Sequence, residues 1–119
     1  MTGHQLWVKR VYDSPTSADG TRVLVDRVWP RGVTKARAGV DLWLREVEPS
    51  VGLRTWFGHD RARWQEFKAR YRDELQSKPR EVARIRDLMS AGTVTLLFAA
   101  HDLERNNAVA LAEYLRHVT

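Results

Sequence analysis

Apolar positions at Trp64, Phe67, Tyr71 and Leu75 recur at intervals of three and four residues, the stripe of an amphipathic helix over Asp60 to Leu75. Asp60, directly after Gly58 and His59, supplies the short acceptor side chain that suits a helix N-cap. A second helix is predicted from about Ser77 to Ala91, opened by Ser77 and Pro79, buried through Val82, Ile85, Leu88 and Met89, and stopped by Gly92. Thr93 to Ala100 then changes character. Its VTLLFAA is continuously apolar and β-branched at the start, as a central parallel strand covered on both faces must be. A last helix, from about Asn107 to His117, buries Ala108, Leu111, Ala112 and Leu115.

The first half reads in shorter pieces. Leu6 to Tyr12 and Arg22 to Val28 are predicted strands, separated by a turn-rich loop, Ser14 to Gly20, and ended by Gly32. Between Val40 and Val47 the apolar Leu42, Trp43, Leu44 and Val47 fit either a short strand or a helical turn, bounded by Pro49 and Ser50. Helices separate the later strands, so the predicted class is α/β, a single domain with a mostly parallel sheet flanked by helices.

Composition adds limits. The 119 residues, 43% apolar and 29% charged, suit one compact folding domain rather than a disordered chain. No apolar run approaches the roughly 20 residues needed to cross a bilayer, and the N-terminus lacks a signal-peptide pattern, so no membrane partner and a cytoplasmic location are expected. With no cysteine, disulfides, thiol catalysis and cysteine-ligated metal centres are excluded. Twenty Lys and Arg against 15 Asp and Glu leave a net charge of +5. The excess is local. Arg22, Arg27, Arg31, Lys35 and Arg37 face only Asp26 in residues 22–37, and residues 61–72 hold five basics against Glu66. Phosphate-bearing partners follow on electrostatic grounds, although a solvated arginine-rich surface would look the same.

Ligands of open α/β sheets bind beyond the carboxyl ends of the strands. Asp13 follows the first predicted strand, Asp26 and Arg27 end the second, and His101 with Asp102 follow the last. The run DRVWPRG, Asp26 to Gly32, sets two charges, Trp29 and the rigid Pro30 where a buried strand stops, and Arg31 beside Pro30 is placed to offer a five-donor guanidinium. Each residue also has a structural use: Asp26 in an ion pair with Arg27 or Arg31, Asp60 as a cap, His59 packing on Trp56. Two His-Asp pairs, His59-Asp60 and His101-Asp102, would make a four-ligand metal site if they met, but no spacing rule supports it. Neither a GxSxG elbow nor a phosphate loop is present, and no motif names a cofactor.

The strings LVDRVWPRG, DLWLREVEPS, LRTWFGHD, RWQEFKARYRDEL and VTLLFAAHD, in this order, resemble the YeaO-like branch of the family called domain of unknown function 488, over nearly the whole chain. The resemblance implies a small bacterial cytoplasmic α/β protein and sets the characteristic polar positions at Asp26, Arg27, Arg31, Arg54, His59, Asp60 and His101. Members often carry a histidine-bearing asparagine motif after the last strand. Here the chain reads ERNNA, Glu104 to Ala108, so no metal or acid–base role is carried onto that loop. The leading expectation is a pocket for a small anionic or phosphorylated ligand. In it Arg27, Arg31 and Arg54 contact the anion beside Trp29 and Asp60, and Asp26, His59 or His101 carry protons. The rival classes are a nucleic-acid-binding module and an interaction protein with no chemistry of its own. Arginines converging on one concave pocket would favour the first, arginines spread along a convex stripe the second.

Overall fold

Five consecutive buried residues, Val94–Phe98, form the strand around which the fold is built. A computed structural model describes residues 4–117. Its four strands are β1 (Leu6–Arg10), β2 (Thr21–Leu24), β3 (Leu42–Trp43) and β4 (Val94–Phe98), in the order β1-β4-β2-β3 with every pairing parallel. Val8 and Val23 flank Leu96 from either side, so β4 completes a ladder on both edges. Interior placement explains its unbroken apolar run, since both faces and both edges are covered.

The helices are α1 (Lys35–Ala38), α2 (Val51–Phe57), α3 (Trp64–Gln76), α4 (Pro79–Ala91) and α5 (Asn107–His117). Val23, Val25, Val94, Leu96 and Phe98 share one large core with the buried stripes of α2 to α5. The alternate sheet residues Leu24 and Leu97 join Val11, Ala38 and Val40 in a smaller cluster, with Trp29 and Trp43 packed against it. That second cluster adjoins a buried polar clamp. Asp19 accepts from Arg22 Nη1 at 2.6 Å, Arg22 also donates to the Ala38 carbonyl, and Lys9 reaches Asp19 at 3.1 Å. Gly20 lets the loop approach β4: its φ is +64°, and a Cβ there would lie 2.0 Å from the Thr93 carbonyl oxygen.

Several predicted boundaries move, each for a local reason. The strand expected over Arg22 to Val28 stops at Leu24, because the Asp26 carboxylate takes the Ala99 amide (2.9 Å) just beyond the last rung, Val25 N–H to Leu97 O. Residues 40–47 hold both readings in turn, a two-residue β3 and then a 3₁₀ turn, Arg45–Val47. Asp60 caps a separate 3₁₀ turn, Arg61–Arg63, ahead of α3 by accepting from the Ala62 amide, so the helix proper starts at Trp64. Ser77 closes α3 through a hydroxyl bond to the Glu74 carbonyl, leaving α4 to begin at Pro79. Leu88 and Met89 are half-buried rather than enclosed. α2 is unforeseen: Ser50 caps it by accepting from the Leu53 amide, and its buried Leu53 and Phe57 are too few to announce a period.

Candidate functional site

The carboxyl ends of β1, β2 and β4 open together into a cleft of about 590 Å³. Tyr12 comes from beyond β1, Asp26 and Val28 to Arg31 from beyond β2, and Ala99 and Ala100 from beyond β4; Glu48, Pro49 and α2 form a facing wall with His59, and Arg105 to Asn107 the entry to α5. Arg10 fixes the segment after β4 by donating to the carbonyls of Ala99 and Ala100 at 3.0 and 3.1 Å.

Asp26 sits at the junction. Its carboxylate accepts from the Ala99 amide at 2.9 Å and from Asn107 Nδ2 at 3.0 Å, while its backbone carbonyl accepts from the Trp43 indole at 2.6 Å. Neither Arg27 nor Arg31 pairs with it, contrary to the ion pair weighed from sequence. Burial raises the Asp26 carboxyl above its ordinary value, against the hydrogen bonds from Asn107 and Ala99 and the charge of Arg54. Arg27 turns instead to Glu48, a buried carboxylate that sequence reading missed. Glu48 accepts from the Arg27 amide at 2.9 Å and lies 3.8 Å from Arg27 Nε and 3.9 Å from Arg54 Nε. Burial raises it as well; Arg54 opposes this and the nearby Asp26 charge adds to it. The backbone around it is pinned by the Tyr71 hydroxyl on the Val47 carbonyl (2.6 Å) and by Lys78 on the carbonyls of Glu46 and Glu48.

Of the residues predicted from sequence, Asp26, Trp29, Arg31, Arg54 and His59 line this cleft, whereas Arg27, Asp60 and His101 do not. Trp29 is locked, donating to the Val33 carbonyl at 2.6 Å and meeting Trp43 edge to face at 5.3 Å. Arg31 is exposed, and Gly32 behind it has φ +77°, so the chain turns away as expected. His59, itself at φ +59°, lies beside Phe57 at 6.2 Å; Trp56 is covered by Arg63 and Arg70 instead. The two His-Asp pairs do not assemble: Asp60 caps its turn and Asp102 accepts from the amides of Glu104 and Arg105. Among the described residues, no group of three or more His, Asp or Glu is placed to hold a metal ion.

The ERNNA segment takes a structural part. Asn106, buried, caps α5 by accepting from the Val109 amide at 2.9 Å, and Asn107 grips Asp26. Paired asparagines at a helix start were the signal for both. Arg105 also lines the cleft, and its only ion pair among the described residues is a 3.5 Å contact to the highly exposed Glu104.

Residues 5–119 match the model of a family described as the inactive DUF488-N3 subclade. The chain is 39% identical over 108 residues to "Uncharacterized protein YeaO" of Escherichia coli K12, covering 91% of this chain and 94% of that one. It is 40% identical over 108 residues to "Uncharacterized protein Rv3073c" of Mycobacterium tuberculosis H37Rv and to "Uncharacterized protein Mb3100c" of Mycobacterium bovis, covering 91% of each. No solved structure matches it. No helix among the described residues is long and apolar enough to cross a membrane.

Proposed function

The chain belongs to the inactive DUF488-N3 subclade, and from that premise we propose that its cleft binds a small anionic ligand without converting it. The observation that carries this reading is the convergence of Arg31, Arg54 and Arg105 on one concave site. Guanidinium groups suit carboxylates and phosphates because their fixed donors match two oxygens at once. Apolar Val28, Trp29, Pro30 and Phe57 line the remainder, the usual mixture of a small-molecule pocket, and about 590 Å³ falls in the normal size range. The word inactive in the subclade's description speaks against turnover. His101 lies outside the cleft, and Asp26, Glu48 and His59 are the carboxyl and imidazole groups that line it.

A nucleic-acid surface would need cations free along a stripe. Much of the basic charge in the two rich segments is already engaged. Arg22 is buried against Asp19, Arg27 faces Glu48, Lys68 pairs with Glu113 at 3.1 Å, Arg70 with Glu66 at 2.5 Å, and Arg63 with Asp60 at 3.6 Å. The pocket reading therefore takes precedence.

The test is titration of the protein with inorganic phosphate, alkyl phosphates and small carboxylates, followed by amide chemical shifts and by the unfolding midpoint, which a ligand of the folded state raises. Arg31→Ala is expected to weaken binding by at least about tenfold with its own midpoint unchanged, a loss of about 1.4 kcal/mol. Arg31→Lys should fall between the two, since an ammonium lacks the paired donors. If both variants unfold more readily and neither alters binding, Arg31 is a structural residue and the proposal fails.

A further inference from the structure

The cleft contains a negative pole as well as a positive one, and the two poles differ in how far the protein has already neutralised them. Glu48 has two guanidinium groups within 4 Å, Arg27 and Arg54. Asp26 has no Lys, Arg or His nitrogen within that distance among the described residues; its partners are a backbone amide and a side-chain amide, Ala99 and Asn107. A carboxylate offers about four lone-pair sites, so two hydrogen bonds leave acceptor capacity on a group that also lines the cleft. A partly buried carboxylate without a cation is an unfavourable state that a cationic donor would relieve. The raised position of the Asp26 carboxyl agrees with this: its charge is under-compensated.

At the other pole Arg31 is exposed and likewise has no carboxylate partner among the described residues. Arg54, by contrast, is committed to Glu48 and to the Pro49 carbonyl at 3.2 Å. The chain that joins Asp26 to Arg31 brings the apolar Val28, Trp29 and Pro30 into the cleft lining. Val28 is 73% exposed and offers an apolar contact in the cleft lining.

We propose that the ligand is a zwitterion: an acidic group held by Arg31, a short apolar body against Val28 and Trp29, and an amine or similar cationic donor on Asp26. The inference rests on the reading of the cleft as an anion site and narrows it to a ligand class. A simple anion would add negative charge to the cleft without relieving Asp26. A zwitterion satisfies both poles, and the Asp26 contact selects against anions that lack the amine.

The experiment compares ω-aminoalkyl phosphates of two to six methylenes with alkyl phosphates of the same lengths, by calorimetric or chemical-shift titration at constant pH. At one or more lengths the amino compound is expected to bind at least about tenfold more tightly. In Asp26→Asn, which keeps the shape of the side chain, that preference should vanish while alkyl phosphates still bind; Arg31→Ala should weaken both series. Equal affinity for the two series at every length overturns the proposal, as does a preference that survives in Asp26→Asn. The wild-type comparison alone decides the matter if Asp26→Asn does not fold. Binding of neither series by the wild-type protein would sink the anion-site reading itself, an outcome separate from equal binding of both.

Discussion

Asp19 and Asp26 are both withdrawn from water, and the balance between burial and partners takes them in opposite directions: partners prevail at Asp19, burial at Asp26. Burial pushes the Asp19 carboxyl up, but hydrogen bonds from the Thr16 amide, Lys9, Arg22 and the Thr16 hydroxyl outweigh it and bring it from 3.8 to about 2. A carboxyl lowered in the folded state contributes stability that is fully present above its ordinary value and is lost as pH falls through the folded one, so acid unfolding should draw on Asp19 between about pH 4 and pH 2. Asp26 and Glu48 have the reverse sign. Raised in the folded state, they make it bind protons more readily than the unfolded chain, and stability declines as pH rises through the range above their ordinary 3.8 and 4.5. Asp19→Ala would strand Arg22, only 3% exposed, and is expected to cost about 3–5 kcal/mol in urea unfolding at neutral pH. A cost under about 1 kcal/mol would mean that Arg22 finds water or another acceptor.

At the scale of elements, α3 acts as the wall that supports the cleft. Its stripe Trp64, Phe67, Tyr71 and Leu75 is buried throughout. Phe67 stacks on Phe57 at 4.4 Å and on Trp64 at 5.6 Å, and it also lines the cleft floor. Truncation there removes an aromatic ring from between two elements, so Phe67→Ala should cost about 3–5 kcal/mol through the cavity it leaves. Urea unfolding reads this directly, and a loss below about 1 kcal/mol would contradict the packing. The periodicity of α3 was legible because one continuous stripe faces one core. α2 was not legible, although it supplies Arg54, Thr55 and Phe57 to the site: seven residues with two buried positions make no period, and only the Ser50 cap marks its start.

For the molecule as a whole, strand order sets both stability and function. β4 is hydrogen-bonded on both sides, whereas β3 is a two-residue edge. Amide hydrogen exchange should therefore be slowest in Val94–Phe98, opening only with global unfolding, and fastest among the strands at Leu42–Trp43. Exchange from β4 at rates like those of β3 would contradict the central placement. Because β4 lies between β1 and β2, the loops after three strands meet above it, and a chain whose sequence separates Tyr12, Asp26 and Asn107 widely brings them to one cleft.

The α/β class, the interior β4, the inward stripe of α3 and the polar run at Asp26–Gly32 were all readable from sequence, because each depends on a local pattern: a period, a β-branched apolar run, a proline beside a glycine. Asp26, Trp29, Arg31 and His59 were also recognisable as cleft candidates from their places at a strand end and in loops, and Arg54 through the family resemblance. Tertiary structure alone decided which charges meet. Glu48 carries no signal of its own in the string EVEPS, yet Tyr71 on the Val47 carbonyl and Lys78 on the Glu48 carbonyl hold the segment where its side chain meets Arg27 and Arg54. Asp26, the expected partner of Arg27 or Arg31, is held instead by Asn107, 81 residues away. Ion pairs join long side chains across the fold, and their partners follow from the packing of backbone segments that sequence spacing does not encode.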